Sequence, residues 1–170
     1  MESKDLLTDA YGHIKRIVHQ AVEGLDSAQL VWRPEEGANS IAWLVWHLTR
    51  VQDGHLATTT GNEEAWITHG WAERFGKAAD KTINGQGDGI AEVAALQADA
   101  ETLLGYHDFV HSRTAAYFAN MESDDLERII DTSYDPPVKA GVRLVSIVQD
   151  NMQHAGQARY LRGIIDRTQR

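Results

Sequence analysis

The 170-residue chain is predicted to be all-α: an antiparallel four-helix bundle with a long connection between helices 2 and 3. Three observations carry this. The only prolines are Pro34, Pro136 and Pro137, which leaves long stretches free of the residue most costly inside a helix. Within those stretches apolar residues recur at three- and four-residue steps, the period of an amphipathic helix. β-Branched residues never alternate at period two over a convincing run, so strands are expected to be absent or marginal.

The first helix is marked by Leu7, Ala10, Ile14, Ile17, Val18 and Ala21, and Gly24 followed by Asp26-Ser27 closes it. Asn39-Ser40 then offers a cap, and Ile41, Leu44, Val45, Leu48 and Val51 define a second helix ending near Thr58 to Gly61. Residues 61–89 hold six of the fourteen glycines together with Trp66, Trp71 and Phe75. A long connection rich in large aromatics reads as a packed cover over one end of the bundle. Its Gly85-Gln86-Gly87-Asp88-Gly89 run reads as a flexible tract: no lysine-serine pair follows, so it is no phosphate loop. One continuous third helix is expected from Ile90 through Val93, Leu103, Val110 and Phe118 to Met121. Ser123-Asp124-Asp125 can cap a short helical piece reaching Ile130, Asp135-Pro136-Pro137 forms a turn, and Val142, Val145, Val148, Met152, Leu161 and Ile165 mark the fourth helix.

The length suits a single domain, residues 1–170. Hydrophobic residues at 42% and charged residues at 24% fall in the globular range. A net charge of −9 would repel a phosphate backbone, so no nucleic-acid partner is expected. The chain has no cysteine, which excludes disulfides, thiolate metal sites, iron–sulfur clusters and a cysteine nucleophile. No apolar run approaches the roughly 20 residues of a membrane span, and Met-Glu-Ser-Lys-Asp lacks a signal-peptide profile. A cytoplasmic location without membrane contact is the expectation.

Eight histidines point to where chemistry could sit. His47 shares the stripe of Leu44, Leu48 and Val51, and His154 that of Ile147, Ala158 and Leu161, so both should face the bundle interior. A lone inward histidine is most often a core residue satisfied by a hydrogen bond. Two on different helices raise the alternative, because bundle cores build metal sites from facing helices. Asp150 precedes His154 by one turn and shares its face. His47, Asp150 and His154 would thus form a facial set suited to zinc, nickel or iron, with coordination positions left open. His107 and His111, also four apart, are a rival pair that could supply ligands or line the pocket. His47 and His55 are separated by a rise of about 12 Å and cannot easily share an ion. His13, His19 and His69 read as surface or packing residues. Arg50 and Asp53 lie beyond His47, and Gln157 beyond His154 could orient a ligand; Arg159 and Arg162 read as a solvated face or as contacts for a carboxylated cofactor.

Two stretches resemble the DinB/YfiT-like metalloenzyme superfamily. One is Trp32-Arg33-Pro34 with Gly37, Asn39-Ser40-Ile41-Ala42-Trp43-Leu44-Val45-Trp46-His47-Leu48 and Asp53; the other is Gln153-His154-Ala155-Gly156-Gln157 with Tyr160-Leu161-Arg162-Gly163. Gly70-Trp71-Ala72-Glu73-Arg74-Phe75-Gly76 resembles its actinobacterial-type branch. The resemblance implies a four-helix bundle, often a homodimer, holding a divalent metal with three histidines. His47 and His154 match two of those positions, and Asp150 stands at the third. It further implies a small-molecule substrate and a low-molecular-weight thiol cofactor such as mycothiol, bacillithiol or glutathione, used in S-transfer. A metal-dependent hydrolase and a non-catalytic, stress-associated helical binding or dimerisation protein are the alternatives.

Overall fold

Short polar side chains decide where the helices begin. In the computed structural model, which describes residues 1–168, α1 (Ser3–Val22) starts where Asp5 Oδ2 accepts from the Glu2 amide at 2.9 Å. In α2 (Ser27–Val31) the Asp26 and Gln29 side chains each accept from the other residue's amide. Ser40 Oγ accepts from the Trp43 amide at 3.1 Å and opens α3 (Ile41–Thr60), which Gly61 ends in the left-handed region at φ 71°. The connection that follows carries α4 (Ala65–Thr68), α5 (Trp71–Arg74) and α6 (Ile90–Ala95). Asp99 then caps α7 (Ala100–Asn120) through the Thr102 amide at 2.8 Å, and α8 (Ala140–Thr168) is the last element of the described residues.

The expected third helix is therefore broken. Ile90–Met121 becomes α6 and α7, because Asp99 gives its carboxylate to the start of α7 and Leu96, 1% exposed, turns inward at the break. The helical piece after Ser123 is a 3-10 turn over Ser123–Glu127 that does not reach Ile130. Ile129 instead opens β1 (Ile129–Asp131), which pairs antiparallel with β2 (Val138–Lys139) across the proline turn. Strands are marginal, as expected, but present.

The four long helices α1, α3, α7 and α8 form the bundle. Each of α1 and α3 packs against both α7 and α8. Their directions follow from cross-bundle contacts. His19 meets Asp108 while Tyr11 meets Phe118, so α1 and α7 are antiparallel; Gln52 meets Asn151 while His47 meets His154, so α3 and α8 are too. Tyr11 donates to the Leu144 carbonyl while Arg162 donates to that of Glu23, so α1 and α8 run parallel. Thr49 meets His107 and Gln52 meets Thr114, so α3 and α7 also run parallel. The bundle is thus not antiparallel throughout. The reason is the connection, which returns the chain along the bundle instead of turning tightly at its end.

The core runs through Ile14, Val18, Leu44, Leu48, Val110 and Ala158. The aromatics of the connection extend it. Trp66, Trp71 and Phe75 are nearly or fully buried and pack around Tyr106, with ring centroids 5.2–5.8 Å apart. Among the described residues no helix is long and apolar enough to cross a membrane.

In the interior of the bundle, His107 of α7 is fully buried beside Thr49 Oγ1 of α3 at 3.2 Å. Burial, then the neighbouring His111, holds its pKa down to about 3. As pH falls below about 6.5 the unfolded chain binds a proton that the folded ring refuses. Stability is then lost by up to ~1.4 kcal/mol per pH unit until the folded value is reached. Urea denaturation between pH 7 and pH 4.5 should show a falling midpoint in the wild type, and a slope shallower by nearly one proton in His107→Leu.

Candidate metal centre

His47 enters the bundle from α3, and Asp150 and His154 enter from the facing turn of α8. Each offers one ligand atom, and these atoms lie within 4.8 Å of one another. Among the described residues no other three histidine, aspartate or glutamate side chains come together this way. The imidazole centroids of His47 and His154 are 4.8 Å apart at an interplanar angle of 70°.

The hydrogen bonds fix which ring nitrogens are free. His47 Nδ1 lies 2.5 Å from the Asn84 carbonyl oxygen, and His154 Nδ1 lies 2.9 Å from that of Asp150. A carbonyl only accepts, so each Nδ1 carries the hydrogen and each neutral ring keeps its lone pair on Nε2. Histidine ligands characteristically donate their second N–H in this manner. Asp150 Oδ2 sits 3.4 Å from His154 Nδ1, whose hydrogen goes to the carbonyl, and this buried oxygen has no hydrogen bond. Two imidazole lone pairs and one unsatisfied carboxylate oxygen form a donor set that fits a divalent cation.

Charge is poised accordingly. Burial is the largest influence on His47 and pushes its pKa below the usual value, which keeps the ring neutral. The His154 ring beside it holds the Asp150 carboxyl below its ordinary range, and Asp150 in turn raises His154. The Trp43 ring stacks on His47, with centroids 4.7 Å apart and an angle of 14°, and covers one face of the imidazole.

The centre opens on a cleft of about 740 Å³. Trp43, His47 and Asp150 line it, with residues Asn84 to Asp88 forming another wall. The glycine run of the connection thus contributes Gly85 and Gly87 to the cleft wall. His55, too far along α3 to share an ion with His47 easily, also lines the cleft two turns away.

Other expectations find different places. His107 and His111 sit 6.4 Å apart between ring centroids, outside the ligand group. His19 is bound by Glu23 at 2.8 Å and Asp108 at 2.9 Å. Gln157 and Arg159 lie on the exposed face of α8, and Arg162 is held by Asp166 and by the Glu23 carbonyl.

Arg50 and Asp53 are not open polar neighbours; they are almost fully buried and clamp the connection. Arg50 donates to Glu64 Oε2 at 2.8 Å, to Tyr106 Oη at 3.2 Å and to the Ile83 carbonyl at 3.0 Å, with its guanidinium 4.6 Å from the Trp66 ring centroid. Asp53 accepts from the Ala65 and Trp66 amides and from Tyr106 Oη, at 2.8–2.9 Å. No periodicity could show that these charges turn inward, since their partners lie 12 to 56 residues away along the chain.

The family model of the DinB superfamily matches residues 13–158 of the chain. Among solved structures, the chain is similar to a conserved protein from Enterococcus faecalis, seen in a crystal structure. That likeness is 26% in sequence identity with a TM-score of 0.86, and it covers 95% of this chain and 96% of the other. No curated protein matches the chain.

Removing one partner of the clamp leaves a buried charge uncompensated, which typically costs roughly 3–5 kcal/mol. Asp53→Ala should lower the urea midpoint by a corresponding amount, whereas Asp9→Ala on the exposed face of α1 should leave it nearly unchanged.

Proposed function

The chain belongs to the DinB superfamily, and from that premise we propose that it is a divalent-metal-dependent enzyme of small-thiol S-transfer, with His47, Asp150 and His154 as ligands. The observation that carries the reading is the pair of Nε2 lone pairs set beside an unsatisfied carboxylate oxygen, each imidazole having its Nδ1 hydrogen bound to a backbone carbonyl. Zinc, nickel or iron suits such donors. Held by His47, Asp150 and His154, such an ion would lower the pKa of a bound thiol or water and so supply a nucleophile near neutral pH.

The protein's own groups do the rest. Asp150 supplies the only negative charge of the ligand set, leaving the loaded site with net positive charge that draws an incoming thiolate. The Asn84 and Asp150 carbonyls fix the orientation of the two rings. Trp43 shields the His47 imidazole from water on its stacked face. On the cleft wall, burial, followed by the Arg143 charge, keeps the His55 ring neutral and able to accept a proton. With no cysteine in the chain, the thiol must come from outside, from a cofactor of the mycothiol, bacillithiol or glutathione kind. The small-molecule substrate contributes the electrophilic carbon: the thiol gives up its proton to solvent, its sulfur bonds to that carbon, and the bond from the carbon to a leaving group breaks, the group departing with the electron pair. We further propose a homodimer, supported by the exposed apolar residues Val142, Val145, Met152 and Tyr160 along one helix, α8.

Untagged protein dialysed against zinc, nickel or manganese should retain about one equivalent, and His154→Ala and Asp150→Ala should each weaken binding at least tenfold. Retention below about a tenth of an equivalent by the wild type would overturn the metalloenzyme reading in favour of a binding module. With metal bound, conjugation of a thiol to a reactive electrophile should be lost in His154→Ala; ester cleavage without thiol consumption would mark a hydrolase. Sedimentation at micromolar concentration should give about twice the 18.9 kDa of one chain, and a value near 18.9 kDa refutes the dimer.

A further inference from the structure

The segment from Lys81 to Asp88 lies over the candidate metal centre with a single apolar anchor, the half-buried Ile83 packed against the core. Only Gly85 in it is buried; Lys81, Thr82, Gln86 and Gly87 are exposed. Beside that one apolar contact, what holds it are polar bonds from one face of α3. His47 donates to the Asn84 carbonyl, Arg50 to the Ile83 and Lys81 carbonyls at 3.0 and 3.4 Å, and Trp43 Nε1 to Asp88 Oδ2 at 2.9 Å. One of the three side chains that fasten this segment is therefore a ligand of the centre.

Gly85 makes that contact possible. Its φ of +92° is a conformation that a side chain seldom adopts. A Cβ there would lie 2.7 Å from His47 Nδ1, 3.0 Å from a Trp46 ring carbon and 3.1 Å from a Trp43 ring carbon. The backbone can thus press its carbonyl onto the imidazole only because residue 85 has no side chain. The carbonyl also selects the tautomer. With the hydrogen on Nε2, the Nδ1 lone pair would face the Asn84 oxygen at 2.5 Å, and the ring would offer no lone pair to a cation.

We propose that residues 81–88 form a strap whose seating against His47 is thermodynamically coupled to metal binding, with Gly85 and the Asn84 carbonyl acting as positioning groups through that imidazole. This rests on the ligand assignment above and adds to it a control element. A cation on Nε2 withdraws charge from the ring and strengthens Nδ1–H as a donor, so a loaded centre holds the strap more tightly. By reciprocity, a seated strap raises metal affinity by the same factor. A segment held by one apolar side chain and a few polar bonds lies at the low-stability end of the fold, where such coupling is readable.

The experiment measures zinc affinity by calorimetry and amide hydrogen exchange across residues 81–88, with and without zinc. The full chain is compared with Gly85→Ala, Asp88→Ala and His154→Ala. Zinc should slow exchange in the strap of the wild type several-fold and leave α7 unchanged. Gly85→Ala should weaken zinc binding 10- to 100-fold with helical circular dichroism retained, and should abolish the protection of the strap. Asp88→Ala removes an anchor that never touches the imidazole and adds no atoms, so it serves even if Gly85→Ala fails to fold. It should weaken binding several-fold. Zinc that binds the wild type, is lost in His154→Ala and is unaffected by either strap substitution overturns the coupling while leaving the ligand assignment intact. Zinc binding with no change in strap exchange overturns it equally. No zinc binding by the wild type overturns both.

Discussion

The buried clamp of Arg50, Asp53, Glu64 and Tyr106 is the constraint on which the rest of the architecture depends. Because α3 and α7 run parallel, the chain must travel back along the bundle between them, and a connection of that length has no regular backbone ladder to secure it. Asp53 takes the first amides of α4 as ligands for its carboxylate, and Arg50 takes carbonyls further on. Tyr106 ties both charges to α7. Burying such groups is unfavourable unless every one is satisfied. Here the Arg50 guanidinium has two side-chain and two carbonyl acceptors, and Asp53 has three close donors.

The same side of α3 serves two purposes separated by one helical turn. His47 faces α8 and the candidate centre, while Arg50 and Asp53 face the returning connection. Trp43 belongs to both, stacked on His47 and donating to Asp88. The centre is accordingly shaped by three elements that are distant in sequence. Two give side chains and one gives chiefly its main chain.

Much of this was legible in the sequence, and what was not has specific physical causes. Helical periodicity located the long helices because their buried stripes are wide and apolar. It merged α6 with α7 because nothing in the apolar pattern distinguishes Asp99 capping a new helix from Asp99 exposed on a continuous one. His47, Asp150 and His154 were accessible because side chains one turn apart share a face and the two histidines lay on core stripes. That their ligand atoms gather within 4.8 Å required the packing of α3 on α8. Helix direction has no sequence signal, because nothing in the pattern says where the 39-residue connection from 61 to 99 runs. The spacing of His47 and His55 argues against a shared ion, but it does not bear on whether the two residues line one cleft.

The oxygen that orients His47 belongs to the peptide unit of residue 84, and this has an evolutionary consequence. Substitution can replace the side chain at that position but cannot delete a backbone atom, so the contact tolerates drift at residue 84 itself. Its vulnerability is displaced by one residue, onto a glycine that carries no chemistry. Divergent descendants of this chain could therefore rewrite the visible surface of the segment, at Thr82 or Gln86, while the mutational target stays confined to a position that looks featureless.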